Sequence, residues 1–252
     1  MQVWLNGEFV DRSEAKVSAF DAGLQHAVGL FETMHARNGR VFRAEAHMQR
    51  LMESARELRL TERLRPEPLR EAVEATAAKS GLAEARVRLT LTGGDLSDLQ
   101  SKGKSTQDPT ILIVAQPATE YPDQFFSEGV TVVLSDGRLN PLDPMGGHKT
   151  LNYWGRIMEL QRAATFGAGE ALWFTVSNHL ACGSVSNVWV AKHDHLFTPI
   201  ARGEEAAGAL RSPVLPGITR GVISQLAEEM KIEVHKRVMD INDVLEAEEL
   251  FL

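Results

Sequence analysis

The 252-residue sequence contains one cysteine, Cys182, which rules out an intrachain disulfide framework and any zinc or iron–sulfur site built from clustered thiols. A lone thiol fits a reducing cytoplasm, and no metal site is expected. No apolar run approaches the roughly 20 residues of a membrane helix, and the N-terminus lacks a basic flank followed by an apolar core. The reading is a soluble, unexported protein with no membrane partner. A long basic run is also missing: the net charge of −7 comes from interspersed acids and bases, so nothing points to a nucleic-acid partner. Internal repeats and low-complexity segments are absent as well, which excludes solenoids and disordered arrays. What is there is a chain 43% hydrophobic and 24% charged, a globular composition suited to a small-molecule partner.

The apolar pattern alternates between two periods. Residues 3–10 alternate around Asn6-Gly7 and predict a hairpin. Ala44, Met48, Leu51, Ala55 and Leu58 recur at helical spacing, and a second helix is predicted from Pro66 to Lys79 with proline in its first turn. Val87, Leu89 and Leu91 alternate with polar residues, and Thr110 to Ala115 is an apolar run of the buried-strand kind. Gln116 to Gln124, with Pro117 and Pro122, reads as a linker between domains over 1–116 and 122–252. Beyond it the pattern predicts a strand over 129–135 and a helix over 151–164 with Trp154, Ile157, Met158 and Gln161 on its packed face. Short strands follow at 171–176 and 188–191, with a turn at His193-Asp194, then a helix over 217–230, a strand near 232–238 and a helix capped by Asp240. The chain stops at Glu249-Leu-Phe-Leu252 inside an apolar stretch, and the native protein is expected to continue further.

Periodicity alone gives an α/β protein and no function; four short segments go further. They are Asp21-Ala-Gly-Leu-Gln-His-Ala-Val-Gly-Leu-Phe-Glu-Thr33, His47-Met-Gln-Arg-Leu51, His148-Lys-Thr-Leu-Asn-Tyr153, and the pair Gly183-Ser-Val-Ser-Asn187 and Leu215-Pro-Gly-Ile-Thr-Arg220. Together and in this order they resemble the class IV aminotransferases, fold type IV of the pyridoxal 5'-phosphate (PLP) enzymes. The resemblance implies two α/β domains of the D-amino-acid aminotransferase kind, PLP at the domain interface, and a homodimer acting on an amino acid and a 2-oxo acid. It makes Lys149 the Schiff-base lysine, since the chemistry needs an amine that binds the cofactor aldehyde and then shuttles the substrate's Cα proton. Tyr153, placed one helical turn on, is expected to reach the cofactor's phenolic oxygen.

For the phosphate, the resemblance supplies Arg50, a guanidinium suited to bidentate capture, with little structural load expected of it. Gly217, Ile218 and Thr219 would add amides at a helix N-terminus. Ser186, Asn187 and Leu215 join the cofactor set, while His26, Phe31 and Thr33 fall at substrate-facing positions.

Departures from the family pattern are equally informative. Cys182 stands where a glutamate usually pairs with the ring nitrogen of PLP, and a neutral thiol offers only a weak hydrogen bond there. A poorer electron sink leans toward a lyase, so aminodeoxychorismate lyase is the alternative, followed by a PLP-binding relative with impaired catalysis. Restoring a glutamate at 182 is expected to speed amino transfer. His26 replaces a common tyrosine, Gly93-Gly94 replaces Arg-Gly, and no Arg-Asn-His follows of the type that holds a carboxylate in D-amino-acid enzymes. Lys102 and Lys104 are weaker candidates for that carboxylate.

Overall fold

The computed structural model describes residues 2–96 and 108–252, so Lys102 and Lys104 lie outside the described residues. The chain divides into two compact units: residues 1–121 with 149–152, and residues 122–148 with 153–252. Lys149 therefore groups with the first.

The first unit is one antiparallel sheet covered by two helices. Its strands are β1 (Gln2–Leu5), β2 (Glu8–Asp11), β3 (Gly29–Arg37), β4 (Arg40–Val41), β5 (Glu84–Thr92) and β6 (Ile111–Pro117), in the order β2-β1-β6-β5-β3-β4. The hairpin forms where Asn6 and Gly7 both take positive φ, 48° and 109°, which suits the type of turn that matches strand twist. Helices Ala44–Glu57 and Pro66–Ser80 bury Met48, Leu51, Ala55, Leu69, Val73 and Ala77 against Leu30, Met34, Val87, Leu89, Leu91 and Ile113. The side chains predicted to face inward from Ala44 to Ala55 do so, with Leu58 packed at the edge of the core.

The second unit holds two small sheets, with β7 (Val132–Leu139), β8 (Glu170–Thr175) and β9 (Leu180–Gly183) in one. The other has β10 (Trp189–Lys192), β11 (His195–Pro199), β12 (Val234–Arg237) and β13 (Glu249–Phe251), ordered β12-β11-β10-β13. Helix Trp154–Thr165 connects the parallel pair β7 and β8, and helices Ile218–Glu229 and Ile241–Leu245 follow. Asp240 caps the last of these in a reciprocal box with Asp243. His193 and Asp194 make the β10–β11 turn at φ 52° and 61°. Among the described residues no helix is long and apolar enough to cross a membrane.

Two local expectations fail for physical reasons. The strand predicted over 129–135 begins only at Val132, because Gly129 takes φ +79° after a short helix at Gln124–Ser127. The helix predicted from residue 151 starts at Trp154, and its supposed packing face is turned out: Trp154 and Met158 are exposed, while Glu159 and Ala163 are buried.

The residues before that helix are committed elsewhere. Phe31 N–H donates to the Lys149 carbonyl at 2.9 Å and Leu151 N–H to the Gly29 carbonyl at 3.0 Å, so Lys149–Leu151 lies along β3 like a strand. Gly29 permits this approach: a Cβ there would sit 2.7 Å from Leu151 Cδ1 and collide with the Leu91 carbonyl. Gly29→Ala is expected to lose about 1–3 kcal/mol by overpacking, whereas Gly155→Ala, with open space around it in a helix, gains about 0.5–1 kcal/mol. Urea unfolding of both variants checks this, and a wild-type midpoint for Gly29→Ala would refute the close-packing argument.

Candidate active site

Alternation along β3 sends its side chains to two faces with different chemistry. Phe31, Thr33 and His35 share one face. The Lys149 ammonium lies 4.5 Å from the Phe31 ring centre, and the Arg88 guanidinium lies 3.9 Å from the same ring. Arg88 is directly opposite Thr33 in the β3–β5 register, so Phe31, Thr33, Arg88 and Lys149 form one continuous patch. A reactive amine beside a fixed cation is an arrangement that suits an anionic carbonyl substrate. Arg88 was not anticipated; its signal was a charged residue in the alternating run of β5.

On the other face Leu30, Met34 and Ala36 join the core, and so does Glu32, only 1% exposed. A carboxylate cannot stay ionised there unaided. Arg50 donates to it through Nε at 2.9 Å and Nη2 at 2.5 Å, and His47 Nδ1 lies 2.7 Å away, both from helix Ala44–Glu57. Burial alone would push the Glu32 carboxyl up, but the His47 and Arg50 hydrogen bonds and charges outweigh it and hold it below its ordinary value. The Nε–Nη2 edge of Arg50 is thus engaged with Glu32. Arg50 also carries a structural load that the sequence reading denied it.

Near the start of β3, Asp21 is 2% exposed and caps the short helix Ala22–His26 by accepting from Gly23 N–H at 2.7 Å. Its other oxygen accepts from the hydroxyls of Thr92 and Thr110, both at 2.7 Å. His26 is exposed at the far end of that helix, where Ala27 takes φ 55°.

In the second unit the Gly183–Asn187 loop is held by a buried acid that the sequence reading missed. Glu170 accepts from the amides of Ser184 and Val185, at 2.9 and 3.4 Å, and from the Ser186 hydroxyl at 3.0 Å. The Asn187 amide donates to the Leu215 carbonyl at 2.9 Å and presses against Gly217, where a Cβ would overlap its Oδ1. Gly217 begins helix Ile218–Glu229 without a side-chain cap, leaving first-turn amides available beside the exposed Thr219. Arg220 fixes this helix from below: it is 4% exposed and donates to Glu204 at 2.9 and 2.8 Å and to the Thr198 hydroxyl and Pro199 carbonyl.

Tyr153 is not one helical turn beyond Lys149, because the lysine segment is extended; the tyrosine instead precedes helix Trp154–Thr165 as its N-cap. Its ring lies 5.6 Å from the Arg156 guanidinium. Cys182 is buried on β9, with Arg156 Nη1 3.4 Å from its sulfur.

Fold and site together define an α/β scaffold in which a lysine and an arginine share one face of a sheet and a helix begins with uncapped amides. The family model for amino-transferase class IV matches residues 29–252, and the chain belongs to that family. It is 32% identical over its whole length to a Methanocaldococcus jannaschii protein named "Putative branched-chain-amino-acid aminotransferase", spanning 83% of that relative. The fold matches a branched-chain amino acid aminotransferase of Escherichia coli with a TM-score of 0.88 at 28% identity, over 99% of this chain and 81% of the other. It also matches 4-amino-4-deoxychorismate lyase of Pseudomonas aeruginosa with a TM-score of 0.84 at 25% identity, over 99% and 86%.

The paired acids set two expectations. Removing one partner of a buried ion pair costs about 3–5 kcal/mol, so Arg50→Ala should lower stability without any cofactor present, measured by urea unfolding; an unchanged midpoint would show Glu32 is satisfied otherwise. Glu204 is pushed up by burial but pulled down more by Arg220, Lys236 and the Ala201 amide, to about 2 from 4.5. A lowered carboxyl stabilises the native state fully above 4.5 and ceases to do so as pH falls toward 2. Glu204→Gln should therefore flatten the acid limb of the melting-temperature profile between these values, and an unaltered limb would count against this pair.

Proposed function

We propose that the protein is a PLP-dependent aminotransferase that moves an amino group between an amino acid and a 2-oxo acid. The observation that carries this reading is Lys149 held over Phe31 on the same face as Arg88 and Thr33. When bound, the cofactor supplies an aldehyde that condenses with a lysine amine and a ring that withdraws electrons from the substrate's Cα–H bond.

The residues suit such a group. Lys149 provides the amine, and its backbone pairing with β3 fixes the point from which it takes and returns a proton. Gly217, Ile218 and Thr219 offer uncapped amides and a hydroxyl to a phosphate dianion, with Leu215 and Asn187 bracing the turn before them. Arg50 adds positive charge. Ser186, already bonded to Glu170, serves by shaping its loop. Arg88 pairs with the substrate carboxylate, and Phe31 and Thr33 line that face; His26 is a substrate residue by resemblance alone. Tyr153 and Cys182 complete the cofactor set as the resemblance assigns it.

Aminodeoxychorismate lyase stays as the second reading because Cys182 offers no carboxylate and a solved lyase shares the fold. Release of pyruvate from aminodeoxychorismate without an amino acceptor would mark the lyase.

Borohydride reduction of the PLP-loaded protein followed by peptide mapping should place the pyridoxyl group on Lys149; a label on another lysine, or none, would sink the assignment. Arg88→Ala should raise KM for the oxo acid by roughly 10–100-fold, the loss of one charge-assisted bond of about 1.5–3 kcal/mol. An unchanged KM would remove Arg88 from substrate recognition.

A further inference from the structure

The environment of Cys182 is cationic. Arg156 Nη1 lies 3.4 Å from the Cys182 sulfur and donates to the carbonyls of Gly183 and Ser184 at 3.2 and 3.1 Å, so the guanidinium is tied to the strand end that carries the cysteine. The rings of Tyr153 and Trp173 flank it at 5.6 and 5.5 Å, which fixes its plane. Every hydrogen bond it makes among the described residues uses Nη1, leaving Nε and Nη2 as oriented donors. Glu170 is the nearby acid, yet its carboxylate is taken up by the Gly183–Ser186 loop.

We propose that Arg156 is the residue that meets the PLP ring nitrogen and keeps it unprotonated, with Cys182 serving as the small, neutral neighbour that makes room for it. This rests on the proposed reading that the cofactor's ring nitrogen faces position 182. A guanidinium is a donor with no acceptor site and does not give up its proton in a protein. It can meet a ring nitrogen only through that nitrogen's lone pair, whereas a protonated nitrogen would set two N–H groups and two positive charges against each other. The pair Cys182 and Arg156 is therefore a coherent replacement for an acid. The ring then withdraws electrons less strongly, and removal of the Cα proton depends more on the placement of Lys149. The simple expectation for Cys182→Glu changes too: a new carboxylate would pair with Arg156, so only the double change Cys182→Glu with Arg156→Ala offers the ring an acid.

The test is nitrogen NMR of the protein loaded with PLP labelled with 15N in the ring, since the pyridine and pyridinium shifts are widely separated. The wild-type signal should stay in the unprotonated range from pH 6 to 9. The double variant should move it to the pyridinium range with Lys149 still labelled by borohydride, whereas Cys182→Glu alone, its carboxylate paired with Arg156, should not. A pyridinium shift in the wild type overturns the proposal, as does a pyridinium shift in Cys182→Glu with Arg156 intact. Failure to load PLP on Lys149 at all is a different outcome, which sinks the underlying reading.

A second observation stands apart from the cofactor. His195 on β11 and His235 on β12 place Nδ1 and Nε2 3.1 Å apart, and the two Glu233 oxygens lie 3.4 Å from one nitrogen each. Ligands about 2.0–2.1 Å from a zinc ion at tetrahedral to right angles stand about 2.9–3.4 Å from one another, so these spacings match a shared ion. The parallel register Phe197↔His235 and the stacking of those two rings, 4.9 Å apart, hold the second imidazole in place. We infer a half-exposed site for zinc or a similar divalent transition ion, contrary to the expectation drawn from the cysteine count. Titration calorimetry with zinc chloride should find one site lost in both His195→Gln and His235→Gln. No binding below millimolar zinc, or equal binding by the variants, shows a histidine pair hydrogen-bonded to itself and overturns the site.

Discussion

A carboxylate withdrawn from water, wholly or in part, must be answered by donors and positive charge, and four such answers organise this molecule. Asp21 ties the short helix before β3 to Thr92 and Thr110 near the ends of neighbouring strands. Glu32 draws Arg50 and His47 onto the core face of the first sheet. Glu170 shapes the Gly183–Ser186 loop through its amides, and Glu204 anchors the helix that starts at Gly217 by way of Arg220. Each segment that the family resemblance singles out therefore contains, or rests on, a buried ionic or hydrogen-bonded centre. The lysine segment is the exception, held by main-chain bonds and by the absence of a side chain at Gly29.

That division explains which parts of the structure were legible in the sequence. The helices Ala44–Glu57 and Pro66–Ser80 and strands β5 and β6 announced themselves, because apolar periodicity and burial agree along them. Lys149, Arg50 and Gly217 were legible as members of motifs. Glu32, Glu170 and Glu204 were not, since an acid in an apolar register looks like a surface residue until its partners, 18, 14 and 16 positions away, are in place. The helix expected from residue 151 failed for a related reason: its first residues obey a tertiary pairing with β3 that no local pattern encodes.

Arg156 illustrates the same limit from the functional side. Read along the chain it is one basic residue on an amphipathic helix, and Cys182 is a small buried residue 26 positions later. Only the fold brings the guanidinium and the thiol together as one chemical unit.

The docking of Lys149–Leu151 along β3 has an evolutionary consequence. Because the position of Lys149 is set by the register of two backbones, side chains at 31, 33 and 88 can be exchanged over generations without moving it. Variation of that face and preservation of the lysine's position are thereby separable, which under the proposed function gives a lineage latitude to explore new amino donors while its chemistry stays put.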